Sequence, residues 1–350
     1  MWSPEIVASE LSIAYDLCSD RGLKVSAKFA AEQLCGLTKF TPTTMNQMQN
    51  QALFPKSPPP PPPPPSNNES PQVKLARSYL DSGEYSRAAH LLCPTSSSYL
   101  SKPADLAHLS QLGIFVYTYA VYLAGERQKE ESMIELSDPL ERFQLFNKNL
   151  KRLSATFSAL HKGGSSNSNS NSNSNNTKLD SFNLYMYGVI LKELLPQNTK
   201  LLPKVKTILV SSILKNPNNW SCWLDLAEIC ISHESIHSSV EVELGELTQS
   251  YMYHFFLVHV FIEQQQNESA LQVISMLEET FVNSGWLVGM RAVALYNLRD
   301  FDAAQEQVSG PKLLYKSVTQ TNKNCYSSST FAPKTHSESR TWTYTRTFFT

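Results

Sequence analysis

Two blocks of this chain match each other at a separation of 34 residues. They cover residues 261–270 and 295–304, and each contains a turn followed by the start of a helix. A period of 34 residues is the length of a tetratricopeptide unit, a helix-turn-helix that buries its apolar faces only by stacking on neighbouring units. The period therefore predicts an all-α, tetratricopeptide-type solenoid, an architecture typical of binding scaffolds.

The spacing of large and small residues favours the same fold. In such a unit a large side chain late in the first helix stands nine positions before a small residue of the second helix, because the two helices approach closely there. This spacing occurs three times, in Tyr79 with Ala88, Phe261 with Ala270, and Leu295 with Ala304. Gly, Asn and Asp between the members of each pair supply turn or capping chemistry, so we interpret all six as repeat-packing residues.

Two more fragments resemble degenerate repeats. Trp223 and Ala227 follow the bulky and small order of a first helix, and Pro217 stands where the preceding helix must stop. Tyr187 and Gly188 belong to a fragment whose second helix is delayed by an apparent insertion. For any single match an ordinary amphipathic helix pair is the alternative, whereas several matches in register favour a repeat array.

Composition limits the classes of partner. The 350 residues are 41% hydrophobic and carry a formal net charge of −1, which indicates neither nucleic acid nor an acidic membrane as partner. The six cysteines form no CxxC pair and are interpreted as free thiols of a reducing compartment. No signal-peptide core is expected at the start, and the longest apolar run, residues 112–124, is too short to span a bilayer.

Low-complexity segments divide the chain. The proline run at residues 58–65 predicts a polyproline II spacer, with an SH3-type ligand as the alternative, and the Ser/Asn run at 165–176 predicts a flexible loop. The predicted organisation is N-terminal helices over 1–54, a Pro-rich linker over 55–71, degenerate helical repeats over 72–162, an Asn/Ser-rich loop over 163–178, tetratricopeptide repeats over 179–308 and a divergent tail over 309–350.

The tail is basic and contains aromatic residues. Six Lys and Arg residues face the single acid Glu338, and Trp342, Tyr344 and Phe348 stand among them. Basic residues interleaved with aromatic side chains are one pattern by which proteins bind RNA, because the bases stack on the aromatic rings. Helical periodicity should continue to about residue 315 but fades earlier, which favours a disordered or non-native tail instead.

One short motif suggests metal chemistry. His233, Glu234 and His237 match HExxH, in which two histidines bind zinc and the glutamate polarises water. No third ligand follows at a recognisable spacing, so we interpret the match as chance and keep a zinc metalloprotease as a remote alternative. Nucleotide-binding and nucleophile motifs are absent from the sequence, and we predict no catalytic residue, no cofactor and no small-molecule substrate.

Several blocks, taken in order, resemble the anaphase-promoting complex subunit 8 family, the cell division cycle protein 23 homologues. They lie at residues 19–34, 81–90, 122–127, 184–189 and 255–257, followed by 296–300. The resemblance covers most of residues 10–306, and Met133 to Leu136 is similar to plant members. It stops near residue 307, before the regular C-terminal repeats of the family.

The resemblance implies a non-catalytic scaffold subunit of a multi-subunit ubiquitin ligase that controls mitosis. It implies homodimerisation through N-terminal repeats, other subunits of the complex as partners, and a nuclear location, with the cytoplasm as the alternative. The family's coactivator groove belongs to the missing C-terminal repeats and transfers to no residue here. A generic tetratricopeptide adaptor or co-chaperone is the alternative, but Val73 and Arg77 stand where its Lys/Asn clamp would lie.

Overall fold

A computed structural model describes residues 2–37, 70–94, 106, 109–138, 141–142, 145–163, 179–232 and 237–309. Within these ranges the regular structure is helical, without a strand. The α-helices are α1 (Pro4–Asp20), α2 (Lys24–Gly36), α3 (Pro71–Asp81), α4 (Tyr85–Leu92), α5 (Gln111–Glu135), α6 (Leu150–Gly163), α7 (Ser181–Glu193), α8 (Leu202–Lys215), α9 (Trp220–Ser232), α10 (His237–Leu244), α11 (Tyr251–Glu263), α12 (Asn267–Glu278), α13 (Gly285–Asn297) and α14 (Phe301–Ser309).

Neighbouring helices pack as antiparallel pairs. Extensive contacts join α1 with α2, α3 with α4, α7 with α8 and α11 with α12. Successive pairs stack on one another, since α4 packs on α5, α8 on α9 and α12 on α13. The predicted all-α, tetratricopeptide-type arrangement is confirmed.

Four of the turns between paired helices share one backbone geometry. Gly22, Gly83, Gln265 and Arg299 adopt left-handed conformations, with φ of 72°, 77°, 62° and 65°. The N–H that follows each of them donates to a carbonyl five positions earlier, at distances of 2.8 to 3.0 Å. This is the Schellman closure, which satisfies carbonyls at the end of the first helix and reverses the chain.

Side-chain caps set where many helices begin. Ser70, Ser110, Asp180, Ser250 and Ser284 each accept a hydrogen bond from the backbone N–H three residues later. Such caps satisfy a donor that the first turn of a helix leaves free. The polar residue before each apolar run therefore determines the register in which that run is buried.

Helix α5 contains the longest apolar run. Residues 113–121 of this helix are buried, because α3, α4, α6 and α7 all pack against it. An apolar surface on all sides is expected of a helix inside the core. Within the described ranges, no helix combines the length and apolarity that crossing a membrane requires.

The cysteines of the described residues are free thiols. Cys18, Cys93, Cys222 and Cys230 are buried, while Cys35 is exposed. Burial raises the pKa of Cys18 to about 12 and that of Cys230 to about 11, so both remain protonated at neutral pH. These buried thiols act as small packing groups.

Several predictions fall outside the described residues. They concern the proline run, the Ser/Asn run, residues 310–350, and His233 and Glu234 of the HExxH match. Helix α10 begins at His237, but the side chain of His237 is not among those described. The last described residue of α14 is Ser309, so the prediction that the helical pattern fades before about residue 315 also lies outside the described residues.

Candidate interaction face

The N-terminal hairpin, α1 with α2, packs across helices that lie far from it in the chain. Helix α2 packs on α9 and α13, and ring contacts join it to α11. Contacts of α1 and of the turn after it extend to α7 and to the start of α11. Each of α7, α9, α11 and α13 is the first, or A, helix of a helix-turn-helix unit. We call the surface of these four helices that contacts the hairpin the A-helix face.

An aromatic cluster forms the centre of this contact. The Phe29 ring stacks on Trp220, with centroids 4.3 Å apart and planes 11° apart. It meets Phe255 and Trp286 edge-on, at 5.2 and 5.9 Å. Phe29 is only 4% exposed, so the hairpin buries a whole aromatic side chain among rings from three helices. Such a ring contributes both burial and favourable edge-to-face geometry.

A buried hydroxyl attaches α2 to the first turn of α9. Ser26 Oγ accepts a hydrogen bond of 2.7 Å from the Ser221 N–H and lies 3.0 Å from Asn219 Oδ1, to which it donates. The Ser221 N–H is one of the donors that the first turn of a helix leaves without an intrahelical partner. The hairpin therefore supplies a cap from another part of the chain.

The far end of α2 meets the first turn of α13 in a similar way. Ser284 Oγ donates to Gln33 Oε1 at 2.7 Å, and the Asn283 N–H donates to the Gly36 carbonyl at 3.0 Å. A Cβ at Gly36 would lie 3.0 Å from Ser284 Cα. The backbones approach so closely that a side chain at position 36 would displace one of them.

The turn of the N-terminal hairpin contacts α3 and α7. Arg77 Nη2 donates to the Ser19 carbonyl at 2.6 Å. Arg21 lies 3.4 Å from Asp180 Oδ2, and its guanidinium carbon is 3.9 Å from the centroid of the Phe182 ring. The hairpin thus contacts the described array from α3 to α13.

The first helix of the hairpin also contacts the start of α11. Trp2 Nε1 donates to the Gln249 carbonyl at 3.0 Å, and the Tyr251 hydroxyl donates to Glu10 Oε2 at 3.0 Å. Burial and then the charge of Glu10 raise the pKa of Tyr251 well above its usual range. The phenol therefore stays protonated and remains a donor.

Three buried polar atoms at this interface have no hydrogen-bond partner. They are Arg21 Nε, Gln33 Nε2 and Asn219 Nδ2, out of five such side-chain atoms among the described residues. A buried donor without a partner costs roughly 1 to 3 kcal/mol. Pairing at the A-helix face is therefore less complete than in the rest of the described core.

The sequence-predicted packing residues lie in the helix pairs of the array. Ala88, Ala227 and Ala270 are fully buried, and Ala304 is 8% exposed. Tyr79, Phe261 and Leu295 are the residues whose carbonyls accept the closing bonds of the turns. Their helices stack in neighbouring pairs, whereas the N-terminal hairpin contacts helices from α3 to α13.

Tyr187 and Trp223 occupy interior positions. Tyr187 stacks on Phe157 with centroids 5.5 Å apart, and Trp223 Nε1 donates to the Pro217 carbonyl at 2.6 Å. Gly188, next to Tyr187, faces α8 at a close crossing.

A charged cluster joins α7 to α9. Lys192 Nζ pairs with Asp225 and lies 2.6 Å from Glu228 Oε2. Burial alone lowers the pKa of Lys192, but the two carboxylates outweigh it and raise the pKa above its usual range. The side chains of Lys192 and Asp225 are only 15% and 17% exposed, so this pair is largely removed from water.

Within the described ranges, no group of three or more His, Cys, Asp or Glu side chains is placed to hold a metal ion. The HExxH match is not part of that search, because its glutamate and both imidazoles lie outside the described residues and side chains. The prediction that this match is chance stays a prediction.

Sequence reasoning missed that the N-terminal hairpin is itself a repeat-like unit. Cys18 and Ala27 stand nine positions apart, with Gly22 at the left-handed position of the turn between them. This is the same spacing as in the three recognised pairs. This pair was overlooked because the position of the large residue is held by Cys18, which is much smaller than the Tyr, Phe or Leu of the other pairs.

Comparisons with known proteins extend over most of the chain. The family described as anaphase promoting complex subunit 8 / Cdc23 matches residues 6–292. Anaphase-promoting complex subunit 8 of Arabidopsis thaliana is 31% identical over 328 residues, which cover 87% of this chain and 50% of that protein.

Similar matches come from animals and from an amoeba. The cell division cycle protein 23 homolog of Homo sapiens is 29% identical over 85% of this chain and 42% of its own length. Subunit 8 of Dictyostelium discoideum is 27% identical over 82% of this chain and 50% of its own length. The chain thus spans about half the length of the curated relatives it matches. It belongs to the anaphase-promoting complex subunit 8 / Cdc23 family.

Proposed function

We propose that this chain is a non-catalytic scaffold subunit of the anaphase-promoting complex, a ubiquitin ligase that controls mitotic progression, and that it acts in the nucleus. Family membership over residues 6–292 carries this proposal. The stacked helix pairs support it, because such arrays offer extended outer surfaces to several neighbours at once. In this proposal the catalytic step belongs to other subunits.

The matched part of the family is the basis for the proposed role. The chain covers about half of each curated relative, and the family match extends to residue 292. For the described helix pairs we propose assembly with other subunits, and we assign no coactivator contact to any of their residues.

Homodimerisation is the second part of the proposal. On α1, Ile6 and Ile13 are 62% and 57% exposed and stand seven positions apart, which places them on one face of the helix. These side chains point away from the A-helix face, and an exposed apolar stripe of this kind suits a self-complementary contact between two copies.

Affinity purification tests the assembly proposal. The chain should carry its tag at the C-terminus, because Trp2 is packed against Gln249. Recovery of the other large subunits from dividing cells is the expected result. Recovery of chaperones alone, from a chain that is monodisperse when purified, would contradict it.

A charge-matched pair of variants tests the dimer. Ile6→Asp with Ile13→Asp should convert a dimer to a monomer in light scattering, because two charges would enter the contact. Ser12→Asp with Ser19→Asp adds the same charges to another exposed face of α1 and should leave the dimer intact. Equal loss in both variants, or a monomeric parent chain, would refute the assigned surface.

The co-chaperone alternative receives no support from the positions that should form its clamp. Val73 is 3% exposed, and Arg77 pairs with Asp81 at 3.0 Å as well as with the Ser19 carbonyl. Neither side chain is free for a peptide carboxylate.

A further inference from the structure

In a simple solenoid each repeat contacts only its neighbours, so its two ends communicate only through the repeats between them. The N-terminal hairpin of this chain departs from that rule. It contacts α3 through Arg77 and Ser19, and it contacts α13 through Gln33 and Ser284. One short element therefore bridges helices that are separated by most of the described array.

We propose that the N-terminal hairpin is a releasable intramolecular strap that ties α3 to α13 and covers the aromatic part of the A-helix face. This goes beyond the proposed scaffold function, because it concerns how the array holds its own form. When the strap is docked, Trp220, Phe255 and Trp286 are covered by Phe29. When it leaves, those three rings face water.

Incomplete polar pairing is the reason for calling the strap releasable. Arg21, Gln33 and Asn219 each have a buried nitrogen without a partner, and all three contribute to the strap interface. On release these atoms regain hydrogen bonds to water, which offsets part of the lost aromatic contact. The strap should therefore open at a lower free energy than the helix pairs beneath it.

The connection between α2 and α3 favours docking within one chain. Residues 37–70 join the two helices, and a connection of 34 residues can span on the order of 100 Å when extended. A connection that can reach the docking site makes docking on the same chain intramolecular, with an effective concentration set by the length and stiffness of the connection. At cellular concentrations a second copy competes poorly with that value.

A designed disulfide tests whether the strap docks on its own chain. The hydroxyl oxygens of Ser26 and Ser221 are 2.7 Å apart, so Ser26→Cys with Ser221→Cys should bring two sulfurs within bonding reach. The variants belong in a Cys18→Ala background, because Cys18 also contacts Ser26. Chains that carry only one of the two substitutions measure cross-linking by the remaining native thiols.

Oxidation of the full-length double variant should give a cross-linked product of monomer size on a non-reducing gel, at a yield independent of protein concentration. A covalent dimer as the main product would overturn the proposal, since the hairpin would then dock on a second copy. Failure of the two thiols to join in a folded chain would overturn it as well.

Native-state hydrogen exchange on the unmodified chain provides a measurement that needs no variant. Amides of α1 and α2 should exchange together, and their free energy of opening should be lower than that of the amides of α7 and α8. Helix α13 should lose protection in the same opening step. Independent exchange of α13 and the hairpin would refute the strap, because a strap must change the protection of what it holds.

Discussion

Gly188 of α7 and Leu209 of α8 cross so closely that a Cβ on the glycine would lie 2.9 Å from Leu209 Cγ. Gly188→Ala should therefore overpack the crossing and lower the free energy of unfolding by about 1 to 3 kcal/mol. Urea denaturation of the purified chain measures this difference.

Gly289 provides the matched control. It also lies in a helix, α13, but a Cβ there would meet nothing within 4 Å. Gly289→Ala should raise stability by roughly 0.5 to 1 kcal/mol through helix propensity alone. Destabilisation by both substitutions would show that the crossing is not the cause.

Phe29 offers the second prediction. Phe29→Ala removes a ring packed among three others. In the chain with its N-terminal hairpin docked, this substitution should lower the free energy of unfolding by about 3 to 5 kcal/mol. Phe29→Leu should cost less, because it refills part of the volume. Phe146→Ala removes the same atoms at a position that is 44% exposed, and a comparable loss there would contradict the assigned role of Phe29.

The third prediction concerns the charged cluster between α7 and α9. Lys192→Met leaves the largely buried Asp225 carboxylate without its cation, a change that typically costs about 3 to 5 kcal/mol. Lys28→Met breaks an exposed pair with Glu32 and should change stability by about 1 kcal/mol or less. The two variants are compared by their midpoint temperatures of thermal unfolding, Tm. Similar shifts in Tm would argue against a special role for Lys192.

The fourth prediction is a pH dependence. Burial lowers the pKa of His259 from its ordinary 6.5 to about 4 in the folded chain. Between those two pH values the unfolded chain binds the extra proton, so stability should fall as pH drops from 6.5 towards 4.

Replacement of His259 by leucine isolates this effect. His259→Leu should flatten the fall in stability across that window, and the difference between the two pH profiles is the quantity to measure. The acids of the chain titrate in both proteins and cancel in that difference. Identical profiles would show that His259 is protonated equally in the two states.

The helix pairs were predictable because their signals are local. Tyr79 and Ala88 stand nine residues apart, and the blocks that begin at Phe261 and Leu295 repeat after 34 residues. Both spacings reflect contacts between adjacent helices. The docking of Phe29 against Trp220 has no such signal, because no period connects positions that far apart. Burial of Phe29 could be guessed from its apolar character, but its partners could not.

Gln265 and Arg299 show another limit of sequence reasoning. Both adopt a left-handed backbone that favours glycine, and the equivalent position in the first two hairpins is indeed glycine. The turn geometry is therefore set by the packing of the helices on either side, and the residue at the turn only makes it easier or harder to form.

The bond from Trp2 to the Gln249 carbonyl also bears on the order in which the chain is made. The N-terminal hairpin is synthesised before its docking surface, whose last helix, α13, ends only at Asn297. At ordinary rates of synthesis the interval is about 10 to 50 s. Until α13 has been made, Phe29 lacks the Trp286 ring that covers one side of it in the folded chain. The hairpin therefore has to wait for the end of its own docking surface before it can be fully buried.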